Sequence, residues 1–426
     1  MRCSKNLILR YTFLSGAARF YQNVREAKRS ATKNYRYLML NILNTITAGS
    51  VIFLAFLILS VRRDANRAAN GWLALFLSLL GIFLLDDTMV CYGMYEQYPC
   101  LLGYAFLPAW AFAPVLFFCV SAFVSIGAVF RWRDLWHFLP FGLFFLNSLP
   151  YLILPGAVKL QELVEEKAAG LQIDAKIMVC LLAVQIVAYL FFSLRKLWKH
   201  RKHLENITAS PEDFRLHWLL YFLLCFGVLM LFWLAELFVL HFTHNGGWQT
   251  LIYFLAVYAL AFFAMRQKEV FPFSQKSAQE VKAFWAEEDL STTAKRSLLS
   301  AERLLHMKSS LLEKMKTQKP YLDPDLTLPA LAGQMNWSLN ELSELVNNGF
   351  GENFNQFINR YRVEESKRLL ASEKHGHLSM VGIAYEAGFN SKTAFNMAFK
   401  KMTGGSPTEF KNEAITTFSQ KRCAKL

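Results

Sequence analysis

Long apolar stretches dominate residues 39–268 and limit what this part of the chain can fold into. Each is about 20 residues long, which is the length that a helix needs to cross the hydrocarbon core of a bilayer. The composition agrees, because 54% of all residues are apolar and only 18% are charged. Hydropathy predicts seven spans, near Thr45–Val61, Gly71–Val90, Leu101–Phe130, Leu135–Leu154, Lys176–Leu197, His217–His241 and Gly247–Met265. We therefore expect an all-α fold that begins with a seven-helix transmembrane bundle.

The basic residues between these stretches predict the orientation of the bundle. They follow the odd-numbered spans: Arg62, Arg63 and Arg67; Arg131 and Arg133; Arg195, Lys196, Lys199, Arg201 and Lys202; Arg266 and Lys268. Short loops rich in Lys and Arg stay in the cytosol. We expect a multi-pass protein of the bacterial inner membrane whose C-terminal part is cytoplasmic.

Residues 1–38 conflict with that orientation, because they are basic and would lie outside. They also lack the uninterrupted apolar core of a signal peptide. Two interpretations stand side by side: a basic N-terminal extension, or a mis-called start with the true beginning at Met39.

Near the C-terminus, Ala394–Pro407 predicts a short helix and the turn that ends it. Phe395, Ala398, Phe399 and Met402 recur at helical spacing and form one apolar stripe. Gly404 can adopt the left-handed conformation that terminates a helix. The opposite face is small and rich in hydrogen-bond donors, which suits the major groove of DNA.

A second short helix, within Leu378–Asn390, precedes this one and ends at Gly388, so the pair predicts a helix-turn-helix arrangement. A weaker copy lies about fifty residues upstream. There Asn336 stands in place of the turn glycine, and Ser338 with Glu341 predicts a capping box. The helical pattern of Asn353–Ser372 connects the two copies.

With YLDPDLTL in front and FKKMTGGSP behind, this arrangement resembles the AraC/XylS transcription regulators over about Lys319–Lys411. The resemblance implies a cytosolic AraC-type domain, at residues 319–415, with two helix-turn-helix units joined by a long helix. It implies that double-stranded DNA at promoter sites is a partner and that the second helix of each unit enters a major groove. The implied DNA-binding residues are Asn340, Ser343 and Asn347 in the first unit, and Lys392, Thr393, Asn396 and Lys400 in the second. Leu339 lies on the same face.

The first unit departs from the family pattern. Its second helix carries Glu341 and Glu344, and then Asn347 and Asn348 where basic residues are common. Carboxylates close to phosphates weaken binding unless they accept from cytosine. We therefore expect the second unit to be the stronger DNA anchor.

Residues 269–318 connect the membrane part to this domain, and a basic tail, residues 416–426, follows it. Ser297–Met315 is amphipathic, with Leu304, Met307, Leu311 and Met315 along one side. It predicts a juxtamembrane signalling or dimerisation helix, or a helix that packs on its own DNA-binding domain. The first interpretation is favoured.

Ionisable residues inside predicted spans indicate a sensor site, because burying charge in a bilayer is costly. Asp86 and Asp87 lie late in the second span, and Glu236 and His241 late in the sixth. They predict either an acidic outer vestibule for an unidentified ligand, or interfacial residues that reach water. Cys91 and Cys100 share an outer loop, as a disulfide or as two thiols.

Metal, phosphate-loop and nucleophile motifs are missing from the sequence, so it predicts no cofactor and no enzymatic activity. The leading hypothesis is a membrane-anchored, sequence-specific DNA-binding transcription regulator that senses a signal at or in the lipid bilayer. A homodimer would read two composite sites. The alternative is a membrane receptor or transporter whose cytosolic helical domain recruits a protein partner.

Overall fold

The structure is a computed structural model that describes residues 31–60, 66–105, 107–125, 127, 129–161, 173–210, 216–235, 252, 254–256, 258–259, 263, 279–285, 300–375 and 377–413. Throughout these residues the regular secondary structure is helical, as the sequence predicts. The chain divides into two compact units. Met1–Leu197 with Leu216–Val270 form the first, and Trp198–Arg215 with Phe271–Leu426 form the second.

The first unit consists of apolar helices. They are α1 Ala31–Ser60, α2 Arg67–Cys91, α3 Met94–Gln97, α4 Ala109–Val124, α5 Leu139–Leu152, most of α6 Ile173–Ile207, and α7 His217–Ala235, with 3₁₀ turns at Pro99–Leu101 and Trp132–Phe138. α1 packs closely on α2: a Cβ added to Gly81 would lie 2.5 Å from the Ile52 side chain.

Three helices in the described part of the chain are long and apolar enough to cross a membrane. These candidate spans are Asn41–Ser60, Arg67–Asp86 and Ile177–Ile207, and Ala109–Val124 and His217–Leu231 are shorter apolar helices. Large apolar side chains point outward at helical spacing, for example Tyr221, Leu224, Val228 and Leu231 on α7. Such outward apolar stripes are typical of a surface that another apolar phase covers.

Several boundaries differ from the predicted ones. α1 begins at Ala31, so it includes the last eight residues of the region assigned to the N-terminal extension, while residues 1–30 lie outside the described part. The predicted third and fourth spans appear as α4, of 16 residues, and α5, of 14 residues. At 1.5 Å per residue, α5 is about 21 Å long, shorter than a hydrocarbon core of about 30 Å. The count of seven spans stays a prediction.

The second unit contains the C-terminal helices. They are α8 Ala301–Thr317, a 3₁₀ turn Pro320–Leu322, α9 Leu328–Met335, α10 Leu339–Glu344 with a π-helical turn Leu345–Gly349, α11 Phe354–Leu370, a 3₁₀ turn Glu373–His375, α12 Met380–Glu386 and α13 Lys392–Thr403. The end of α6 and the residues up to 210 also belong to this unit.

α8 packs on this same domain, which is the interpretation of Ser297–Met315 that was not favoured. Met307, Leu311 and Met315 are 3% exposed or less. Lys308 Nζ donates to the Gly349 carbonyl at 2.9 Å, and Lys314 Nζ donates to the Gln334 carbonyl at 2.9 Å. The amphipathic stripe is therefore satisfied within the unit, and the lysines cap backbone carbonyls at the ends of α9 and α10.

The turn after α12 requires glycine. Gly388 has φ +89°, and a Cβ added there would lie 2.4 Å from the Tyr321 carbonyl oxygen and 2.8 Å from Leu322 Cα. Gly404, which ends α13, has φ +81° but open space around the same position. The two glycines thus share the left-handed conformation and differ in close packing.

We expect Gly388→Ala to destabilise the second unit by about 2–4 kcal/mol, because left-handed strain and overpacking against backbone atoms add. Gly404→Ala should cost only about 1–2 kcal/mol, from the strain alone. Local opening free energies from hydrogen exchange of the full-length protein would measure both. Equal costs at the two positions would show that the contact with Tyr321 and Leu322 is unimportant.

Candidate nucleic-acid interface

In two helix pairs of the second unit, the first helix ends with the same backbone geometry. α9 is capped by Asn336, with φ 56°, and α12 is followed by Gly388, with φ 89°. In the first pair, Trp337 N donates to the Ala332 carbonyl at 3.0 Å; in the second, Phe389 N donates to the Ala384 carbonyl at 2.9 Å. These bonds join equivalent positions, so both first helices terminate in the same way, although the turn up to the next N-cap, Ser338 or Ser391, is one residue shorter in the first pair.

The second helix of each pair starts on a serine cap, which the sequence predicts for Ser338 in the first pair and leaves open between Asn390 and Ser391 in the second. The Ser338 hydroxyl accepts from Glu341 N at 3.3 Å, and the Glu341 carboxylate accepts from Ser338 N at 2.9 Å. The Ser391 hydroxyl accepts from Ala394 N at 3.1 Å. A cap satisfies N–H groups that have no partner inside the helix, so it fixes where each helix begins.

The apolar stripes of both pairs are buried at matching positions. The first pair buries Leu331, Ala332, Leu342, Leu345 and Val346, and the second buries Ile383, Ala384, Phe395, Ala398 and Phe399. Val363, Leu369 and Leu370 of α11 join the core of the second pair. Each second helix is thus held by its apolar back, which leaves the opposite face toward solvent.

On α13 all four predicted DNA-binding residues, Lys392, Thr393, Asn396 and Lys400, are exposed. They lie at i, i+1, i+4 and i+8, so they follow one side of the helix, next to the buried stripe of Phe395 and Phe399. Gly404 ends the helix through an N–H bond to the Lys400 carbonyl at 2.9 Å. The result is a short, rigid helix that presents two cations, an amide and a hydroxyl.

The first pair presents its predicted residues differently. Ser343 is only 6% exposed, and its hydroxyl accepts from Asn347 Nδ2 at 3.2 Å. Asn340 is half-buried, and Leu339 is 9% exposed. The face of α10 is therefore less open than that of α13.

Glu341, which appeared to oppose DNA binding, has partners inside the protein. Besides the cap, it forms an ion pair with Arg303 of α8. The hydrogen bond from the Ser338 backbone lowers the pKa of the Glu341 carboxyl below its ordinary value, and Arg303 contributes in the same direction. Its charge is thus compensated by a helix that sequence reasoning placed outside the DNA-binding domain.

The predicted membrane site is only partly described. Asp86 accepts a hydrogen bond from the hydroxyl of buried Tyr95. The side chain of Asp87 lies outside the described part, as do Glu236 and His241, so their grouping stays a prediction. Cys100 carries a free thiol. Among the described residues, no group of His, Cys, Asp and Glu side chains is arranged to hold a metal ion.

Arg362, in the middle of α11, is the residue that sequence reasoning missed. It is 0% exposed, and burial lowers the pKa of its guanidinium to about 10. In the sequence, Arg362 is recognisable only as an arginine that interrupts the apolar stripe of α11, and nothing else indicates that it is buried. Its role follows from acceptors that are far away along the chain.

A family model described as a helix-turn-helix domain matches residues 331–413. The match starts inside α9 and covers α10 to α13 in full. The chain carries a helix-turn-helix domain at its C-terminal end.

Curated relatives carry related names. An uncharacterized HTH-type transcriptional regulator of Staphylococcus aureus (strain COL) is 29% identical over 126 residues, which is 28% of this chain and 16% of the relative. A protein with the same description from strain MSSA476 is 29% identical over the same shares. This chain thus spans about a sixth of the length of the curated relatives it matches. No solved structure matches the chain.

The partners of Glu341 predict that the stability of the helix-turn-helix domain depends on pH. Because its folded pKa is lowered, its stabilising contribution is present at neutral pH and is lost as the pH falls through that lowered value. Glu341→Gln keeps an acceptor for the cap but removes the charge. We expect this variant to melt at a lower temperature at pH 7 and to lose less stability than wild type on acidification.

Thermal proteolysis of the second unit in the full-length protein, from pH 7 to pH 4, would check this. The matched control is Glu313→Gln, which removes an exposed carboxylate from α8. Parallel acid sensitivity in wild type and Glu341→Gln would contradict the assignment.

Proposed function

We propose that this protein is a membrane-anchored, sequence-specific DNA-binding transcription regulator. The observation that carries the proposal is α13, a capped helix whose exposed face presents Lys392, Thr393, Asn396 and Lys400 from within a helix-turn-helix domain. Donors of this kind on a short helix fit the major groove, where base edges present a distinct pattern of acceptors.

The two helix pairs act as two reading units of AraC type. Their matching helix ends, serine caps and buried stripes support this. Successive major grooves lie about 34 Å apart on one side of B-DNA. α13 is the stronger anchor. The first pair contributes Asn340 from α10 and Asn347 from the π-helical turn after it, with Ser343 supporting Asn347.

Membrane anchoring rests on the candidate spans Asn41–Ser60, Arg67–Asp86 and Ile177–Ile207, together with the outward apolar stripes. The basic residues after the odd-numbered predicted spans place the DNA-binding domain in the cytoplasm, where DNA is. The membrane part senses an unidentified signal and has two conformational states. The state that the signal favours changes how well the helix-turn-helix domain binds DNA. A difference of a few kcal/mol between states is enough to change occupancy substantially.

Genome-wide crosslinking of the full-length protein tests DNA reading directly. Wild type should recover discrete sites, and these should vanish when Lys392, Asn396 and Lys400 are all changed to Ala. The control is Lys282→Ala with Lys316→Ala, which removes two exposed lysines outside the helix-turn-helix match. The same diffuse background from wild type and the triple variant, with membrane-bound protein present, would favour recruitment of a protein partner instead.

The single variants separate specificity from electrostatic attraction. Asn396→Ala should weaken binding to the recovered sites by about 1–3 kcal/mol and leave binding to random DNA unchanged, because an amide reads base edges. Lys400→Ala should weaken both and reduce the dependence on salt by about one counterion. Titration of labelled duplexes between 50 and 200 mM salt measures both effects. Equal loss on specific and random DNA for Asn396→Ala would defeat its assignment.

A further inference from the structure

Residues 204–210, hereafter the docking segment, lie between the predicted fifth and sixth spans yet are built into the helix-turn-helix unit. Ala209 N donates to the Leu326 carbonyl at 3.1 Å, and Thr208 pairs with Thr327 in an antiparallel bridge. The Ser210 hydroxyl donates to the Pro324 carbonyl at 2.8 Å. Exposure falls to 0% at Ile207 and stays at 6% or less through Ser210. The segment thus forms part of the domain's interior.

Arg362 explains why the docking segment is needed there. Its Nε donates to the Tyr321 carbonyl at 2.8 Å and one terminal nitrogen donates to the Asp323 carbonyl at 2.7 Å. The other terminal nitrogen donates to the Ser210 hydroxyl at 3.2 Å and the Ala209 carbonyl at 3.4 Å. A buried guanidinium requires acceptors for its N–H groups. The docking segment supplies both acceptors of one terminal nitrogen of Arg362.

A neighbouring amide is anchored in the same way. Asn355, two turns before Arg362 on α11, donates from Nδ2 to the Ala209 carbonyl at 2.7 Å. The Ala209 peptide group therefore connects two side chains of α11 to the Leu326 backbone. Loss of the segment would expose three polar groups of the domain at once.

This network reaches both helix pairs. Thr327, which pairs with Thr208, is the N-cap of α9 in the first pair. The Arg362 guanidinium lies 5.7 Å from the centre of the Phe389 ring, in the turn of the second pair. Tyr321, an acceptor of Arg362, touches Gly388 in that same turn. The relative position of the two reading helices therefore depends on a guanidinium that the docking segment completes.

The docking segment also includes the end of a candidate span. α6 runs from Ile173 to Ile207 as one helix of 35 residues, about 52 Å long, and its last residues belong to the second unit. The candidate span Ile177–Ile207 of the same helix contains a window of 18 residues that is apolar enough to cross a membrane. A shift or rotation of this helix is passed to the segment through helical backbone.

We propose that the docking segment transmits the signal: docked, it fixes the two helix pairs for simultaneous binding to two major grooves, and undocked, it loosens them. This proposal rests on the proposed function. It adds a path for the signal, from the membrane part to the helix pairs, that is separate from residues 269–318. The docking segment and the helix pairs belong to one chain, so this coupling requires no further partner.

Docking is tested without DNA by joining Thr208→Cys to Thr327→Cys in the full-length protein. Antiparallel bridge partners have Cα atoms about 4.5–5.5 Å apart, inside the range that a disulfide spans. Mild oxidation of native membranes should join the two positions, read as a crosslinked peptide by mass spectrometry, while each single variant gives none. Absence of the crosslink, with both cysteines reactive toward a maleimide, would overturn the proposal.

The consequence for DNA is tested with Ala209→Pro, which removes the N–H donated to Leu326 without touching either reading helix. In lipid nanodiscs it should bind the duplex recovered by wild type about tenfold more weakly, with faster hydrogen exchange around Arg362 and Phe389. Ser210→Ala, a milder change, should shift both readouts in the same direction by less. Lys202→Ala, at an exposed position about two helical turns before Ala209, should change neither exchange rate.

The outcomes separate this proposal from the proposed function. If wild type binds no discrete sites, the function fails while the crosslink still reports on docking. If Ala209→Pro and Ser210→Ala exchange faster but bind the duplex as wild type does, docking exists without controlling DNA binding, and the proposal fails. Tighter binding by either variant would also overturn it, since the segment would then be inhibitory.

Discussion

A single buried guanidinium, that of Arg362, joins most parts of the helix-turn-helix unit. The acceptors described above are backbone carbonyls and a hydroxyl, drawn from the residues before α9 and from residues 209–210. These acceptors fix how the chain segments are oriented around Arg362, because each must lie in line with an N–H bond of the planar guanidinium. An apolar residue in its place would fill the volume but would not specify how these chain segments meet.

The two helix pairs show that two different residues can produce the same helix end. Asn336 and Gly388 differ chemically, yet both adopt left-handed geometry and are followed by the same backbone bond. The reason for the difference lies in packing. Gly388 meets the backbone of Tyr321 and Leu322, where a Cβ has no room, whereas Asn336 is exposed and needs only the conformation. The first pair can therefore use asparagine, and the second cannot.

Local features of this chain were predictable from the sequence, and distant contacts were not. The Ser338 cap, the Gly404 terminus and the apolar stripe of α13 depend on residues within one or two helical turns. The structure confirms the cap, the terminus and the burial of Phe395, Ala398 and Phe399, whereas Met402 at the end of the stripe is 38% exposed. The docking of residues 204–210 depends on positions more than a hundred residues away, which periodicity does not encode. In the first unit, hydropathy found the apolar stretches but not the helix ends. The predicted fourth span starts at Leu135, inside the 3₁₀ turn Trp132–Phe138, because Leu135, Trp136 and Phe138 are as apolar as the helix that follows.

The acidic character of α10 is explained by the same kind of distant contact. Viewed along the sequence, Glu341 places a negative charge on a helix meant for DNA, and the resemblance to AraC-type regulators is weakest there. In the structure its carboxylate accepts from Ser338 N and pairs with Arg303, so its charge is compensated at the helix N-terminus, where a carboxylate is favourable. α8 therefore supports the first helix pair electrostatically as well as by packing. A helix that sequence reasoning placed in the linker is thus part of the helix-turn-helix unit itself.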